Sequence, residues 1–184
     1  MSSGGFEDFY DYLTQLGLTW DEFGAGTLLI RWSADGNPPL PLLTYVPESP
    51  SGVSYDARAQ VIAAANDWNT NPQGIQYFDI STDSADQSIA SIEVIFNANS
   101  YTDREYGLDH IITHATAYVG GGNATGTFRA AAEELGHTIN LSLDPVGDPE
   151  STFGIAPAPT ERDKIVAYLV QFLSEQQTSV LTKN

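Results

Sequence analysis

Residues 132–144 read AEELGHTINLSLD, and the fold of the chain is decided by how this stretch is read. It closes a run in which Phe128, Ala131, Leu135 and Thr138 recur at three- and four-residue intervals. That spacing lines up one apolar face and predicts a helix over residues 127–141. Glu133 and His137 stand four apart and share another face of the same helix. As an ordinary helix pair they contribute only ~0.3 kcal/mol. As metal donors they offer one carboxylate and one imidazole, whereas a catalytic zinc takes three protein ligands and keeps a fourth position for water. Asn140 suits a left-handed helix end.

The 184 residues suffice for one domain with a sizeable core and are too few for two. Hydrophobic residues make up 41% and aromatics 11%, which favours a folded chain over a disordered one. Only seven Lys and Arg face 24 Asp and Glu, a net charge of −17. Such a surface repels phosphate backbones and anionic lipid, so nucleic acid and membranes are not expected partners. It suits an extracellular setting, divalent cations or a basic protein surface. There is no Cys, hence neither disulfide nor thiolate chemistry. Residues 1–5 lead into acidic and aromatic residues without a basic region or apolar run, so no signal peptide is expected, nor any membrane span.

Along the chain, Phe6, Phe9, Tyr10, Leu13 and Leu16 fall at helical spacing. They predict an amphipathic helix within an N-terminal extension, residues 1–26, ahead of a single domain at 27–184. This helix either packs on its own domain or docks into a partner's groove. Strands are expected at 27–32 and 42–46, about the Pro-rich turn at 37–41. Ser54 is the expected N-cap of a helix reaching Thr70, with Val61, Ala65 and Trp68 inward. Further strands are expected at 75–80, 89–96 and 114–119, the last ended by Gly120, Gly121 and Gly122. Thr160 and Asp163 form a capping box for a final helix carrying Ile165, Leu169, Phe172 and Leu173.

The segment at 132–144 resembles the zinc helix of the metzincin metallopeptidases, H-E-x-x-H-x-x-G-x-x-H-D. Glu134 matches the general-base Glu, and Leu135, Gly136, His137, Thr138 and Asp144 also match. Glu133 stands at the first ligand position, Asn140 at the Gly, and Leu143 at the third ligand, which is lost. The resemblance runs from about Thr27 to Phe172. Residues 43–47 with 54–58 and Trp68 are similar to the family's first strand and first long helix. It implies an α+β metzincin-like (zincin) fold, a twisted mixed sheet packed on two long helices plus a C-terminal helix. It also implies that Ala115, Thr116, Ala117, Tyr118 and Val119 lie on the edge strand lining a peptide cleft. The family's Met-bearing turn corresponds to residues 151–157, with Ile155 near the Met position; the sole Met of the chain is Met1.

These departures make Glu134 a relic general base: without zinc nothing lowers the pKa of a bound water. The expectation is a catalytically inactive domain serving as a structural or protein-binding module. Its partner is a protein, met through the helix at 6–16 or through the relic cleft. Its setting is extracellular or a larger assembly such as a virus or phage particle. One alternative is an active metallopeptidase using Glu133, His137 and another carboxylate such as Asp144. Another is a calcium-binding surface protein, with acidic loops at Asp79, Asp83 and Asp86 or Asp144, Asp148 and Glu150. Asp109, His110 and His114 do not reproduce the spacing of a second zinc site and read as surface or strand residues.

Overall fold

A computed structural model describes Trp32 and residues 39–107, 111–139 and 156–172. The first strand, β1 (Leu42–Tyr45), lies at the centre of the parallel part of the sheet and leads into α1 (Ala57–Asn69). Asp56, rather than the expected Ser54, caps α1 and accepts from the Ala59 N–H at 3.0 Å. Ser49 Oγ accepts from the Arg58 N–H at 2.9 Å, so two of the donors orphaned at a helix start are satisfied by side chains. Val61, Ala64, Ala65 and Trp68 form the buried stripe. At its end Asn69 imitates a strand neighbour. Its Oδ1 accepts from Tyr77 and Phe78 N–H at 2.8 and 3.0 Å, and its Nδ2 donates to the Phe78 carbonyl at 2.8 Å. This clasp delivers the chain into β2 (Phe78–Ser81), which pairs parallel to β1.

A 3₁₀ turn (Ser84–Ile89) follows, and β3 (Ile92–Phe96) then joins β1 on its other side. Next come β4 (Tyr101–Tyr106) and β5 (Ile112–Val119). The sheet order is β2-β1-β3-β5-β4, all neighbours parallel except the antiparallel β4–β5 pair. The architecture is therefore α+β with a mixed five-stranded sheet.

Two expectations are corrected here. Four strands, not three, separate α1 from the motif helix, because residues 101–106 form β4. In addition, the strand holding Ala115, Thr116, Ala117, Tyr118 and Val119 is not the edge. It is paired to β3 on one side and to β4 on the other, so its backbone groups are already used. The edge is β4. Strand 75–80 also shortens to Phe78–Ser81, and 89–96 to Ile92–Phe96 after the 3₁₀ turn.

The motif helix, α2 (Ala124–Thr138), starts three residues before its expected position, capped by Asn123 Oδ1 accepting from the Gly126 N–H at 2.9 Å. The three-glycine turn into it is sterically determined: Gly121 adopts φ +140°, and a Cβ there would overlap the backbone of Gly126 and Thr127. Helix α3 (Glu161–Phe172) opens on the expected box, with Thr160 N–H donating to Asp163 Oδ2 at 2.9 Å and Asp163 N–H to Thr160 Oγ1 at 3.2 Å. Lys164 Nζ reaches Asp67 Oδ1 at 2.7 Å and ties α3 to α1. Both α1 and α2 pack on one face of the sheet. Trp68 joins them, donating from Nε1 to the Ala132 carbonyl at 2.8 Å, and Trp32 donates to the Thr138 carbonyl at 2.9 Å. The expected helix at 6–16, most of the strand at 27–32, Asp109 and His110, the segment with Asn140, Leu143, Asp144, Asp148 and Glu150, and Ile155 lie outside the described residues.

A candidate site between the motif helix and the edge strand

Glu133, Glu134 and His137 all sit on α2, as the spacing predicts. Their surroundings differ. Glu133 and His137 are half-buried, whereas Glu134 is 4% exposed. The helix turns Glu134 inward. Register explains this: Thr102 on β4 pairs with Ala117 on β5, so both project toward the helices, and Glu134 arrives over them.

Thr102 Oγ1 lies 2.6 Å from Glu134 Oε2 and 3.0 Å from the Glu134 carbonyl oxygen. A hydroxyl has one proton to donate, and here two acceptors compete for it. Both contacts are satisfied together only when the carboxyl is protonated. The acid then donates to Oγ1 while Oγ1–H donates to the helix carbonyl. Donation from Thr102 to the ionised carboxylate would oppose that arrangement, but the larger effect runs the other way. Burial pushes the Glu134 carboxyl up to about 7; the Thr102 hydrogen bond pulls it down and the neighbouring Glu133 adds to the rise. Glu134 is thus an acid poised near neutrality and tied to the edge strand.

Glu133 and His137 supply two candidate metal donors, and among the described residues no group of three His, Asp or Glu side chains comes together. The acidic loop at 79–86 is occupied with local structure. Asp83 caps the 3₁₀ turn by accepting from Ala85 N–H at 3.0 Å, and Asp86 Oδ2 accepts from Ser81 Oγ at 2.6 Å. His114 lies on β5 opposite Glu105, away from α2 in the register. Among the described residues, no helix is long and apolar enough to cross a membrane.

Sequence reasoning missed Thr102. The clue was the β-prone Tyr101, Thr102 and Tyr106 around Asp103, Arg104 and Glu105. An edge strand tolerates charge on both faces, and the three consecutive charges at 103–105 erase the apolar alternation that marks a strand. Compared with known protein families, characterised proteins and solved structures, the chain matches none.

Proposed function

We propose that the chain is a metzincin-like domain without zinc chemistry, serving as a module that binds an extended segment of a protein partner. One juxtaposition carries the reading: the helix bearing Glu133, Glu134 and His137 lies against an antiparallel edge strand, β4, and Glu134 is bonded to it. That is the relation the metzincin resemblance implies between zinc helix and cleft strand, with β4 in place of the strand at 115–119. Among the described residues no strand pairs with the outer side of β4, which leaves backbone groups for strand addition. The motif itself supports a domain without zinc chemistry: it offers one imidazole and one carboxylate, with Leu143 at what the resemblance makes the third ligand position, where zinc takes three protein ligands.

A second reading has one observation in its favour. A carboxyl near 7 suits a general base, which an active peptidase using Glu133, His137 and a further carboxylate would require. Incubation with casein, with and without added Zn²⁺, separates the two. The binding module leaves casein intact and slows hydrogen exchange of the β4 amides. Cleavage abolished both by chelator and by Glu134→Gln would establish the peptidase, and unchanged exchange at β4 would remove the edge as the binding element.

A further inference from the structure

The face of the sheet turned away from the helices has its own chemistry. Register aligns Tyr118 on β5 with Tyr101 on β4, and one pair along it aligns Glu93, Thr116 and Asp103 across β3, β5 and β4. The two tyrosine rings are stacked, centroids 4.1 Å apart and planes within 13°. Tyr101 is 43% exposed at the sheet edge, which leaves the ring face away from Tyr118 open. The two rows are roughly 7 Å apart along the strands, so a single long side chain spans both. Strands β1, β2, β3 and β5 contain no Lys or Arg, and Arg104, the basic residue of β4, alternates to the helix side beside Thr102. Gln87 Nε2 donates to Glu93 and orients it without neutralising it. The Tyr118 phenol is raised by burial and then by Tyr101, with Asp103 and Glu93 contributing, so these carboxylates act on the ring they flank.

We propose that this outer face, centred on the stacked Tyr101–Tyr118 pair, docks a basic segment of a partner protein, with an Arg or Lys lying on the open Tyr101 ring and Glu93 and Asp103 as its counter-charges. Charge selects the occupant. A cation is drawn to the ring face, and to carboxylates that no Lys or Arg of the sheet's outer face offsets. A second copy of the chain brings another −17 and is repelled, and nucleic acid is repelled for the same reason. The surface lies on the side of the sheet away from α2 but shares Tyr101 and Asp103 with the β4 edge proposed above, so shifts at Glu93 and Tyr118, on β3 and β5, are what separate docking on this face from strand addition at that edge.

The test is a titration of ¹⁵N-labelled protein with the peptide acetyl-Gly-Arg-Gly-Arg-Gly-amide and its Arg→Gln counterpart. Shifts are expected at Tyr101, Asp103, Glu93 and Tyr118 with the first peptide and not the second. Tyr101→Leu should weaken binding about three- to fivefold and Tyr101→Phe should preserve it, because the ring face and not the hydroxyl holds the cation. The pair Glu93→Gln and Asp103→Asn should weaken it, while Glu161→Gln on α3 should not. All these side chains are at least partly open to solvent, and the wild-type map stands without any variant. Shifts scattered over every acidic surface, or an equal loss with Glu161→Gln, would reduce the effect to general attraction and overturn the proposal. Equal shifts with Ca²⁺ alone would make the face a cation site instead.

Discussion

Val94, Ala117 and Thr102 align across β3, β5 and β4 on the side of the helices, and in the adjacent row Glu93, Thr116 and Asp103 align on the other side. The first row is closed: Val94 and Ala117 are at most 1% exposed and meet Ala131, Ala132 and Leu135 of α2 in one core. The second row is half-buried to exposed and carries two carboxylates. Neighbouring residues on one strand thus live under different rules, because side chains alternate with a period of two. The closed side tolerates small apolar groups and one protonatable acid. The open side displays charge and aromatic surface that the core has no use for.

The sharpest way to break this comparison is to place one substitution on each side of the same peptide bond. Ala117→Asn puts an amide where there is neither room nor partner. Overpacking and an unsatisfied polar group together cost on the order of 3 kcal/mol. Thr116→Asn faces outward and should cost under ~1 kcal/mol, mostly through lower strand propensity. Denaturant midpoints of the two variants measure the difference. Similar losses would mean that the faces are not as distinct as the register makes them.

Glu134 is the exception on the closed side, and it gives that side a pH dependence. Its folded carboxyl sits at about 7 against an ordinary value of 4.5. Between those values the folded chain keeps a proton that the unfolded chain has released, so raising the pH favours unfolding. The contribution is fully present below about 4.5 and is lost as the pH rises through about 7. Its size is on the order of 3 kcal/mol at most. Glu134→Gln keeps a neutral side chain that can donate to Thr102, so it should match the parent near pH 5 and exceed it by ~1–2 kcal/mol at pH 8. Subtracting parent from variant cancels the other carboxylates, which titrate in both. A constant difference across that range would mean that Glu134 is ionised in the fold.

Much of the closed side was legible before any coordinates. The stripe Ala131, Leu135 and Thr138 fixed the motif helix, Trp68 marked the inner face of α1, and Thr160 with Asp163 announced α3. Each of these signals is local, resting on helical period or on a cap within four residues. The placement of β4 and β5 was not local. The edge assignment of residues 115–119 came from the family resemblance, since nothing in that apolar run says what pairs on either side, and β4, being charged, did not look like a strand at all. The buried state of Glu134 was hidden for the same reason. Its position on the helix could be read, but its environment comes from Thr102, 32 residues earlier. The helix at 6–16 and the third ligand position at Leu143 belong to residues the structure does not describe.

The smallest expected effect concerns the open side. Stacked aromatic rings contribute ~0.5–1.5 kcal/mol beyond the area they bury, and Tyr101 and Tyr118 have that geometry at 4.1 Å and 13°. Tyr101→Ala, Tyr118→Ala and the double variant form a cycle whose coupling should be ~1 kcal/mol. Unlike an ion pair, this coupling should change little between low and high salt, since neither ring carries a charge at neutral pH. The value also measures how far the docking surface is organised in advance. A coupling of ~1 kcal/mol holds the rings together about fivefold over independent motion, so a partner finds the platform already built and loses less entropy on binding. A coupling near zero would mean that the two rings are neighbours by register alone. The open face would then be a surface assembled by its partner, and Tyr101→Leu should weaken peptide binding without help from Tyr118.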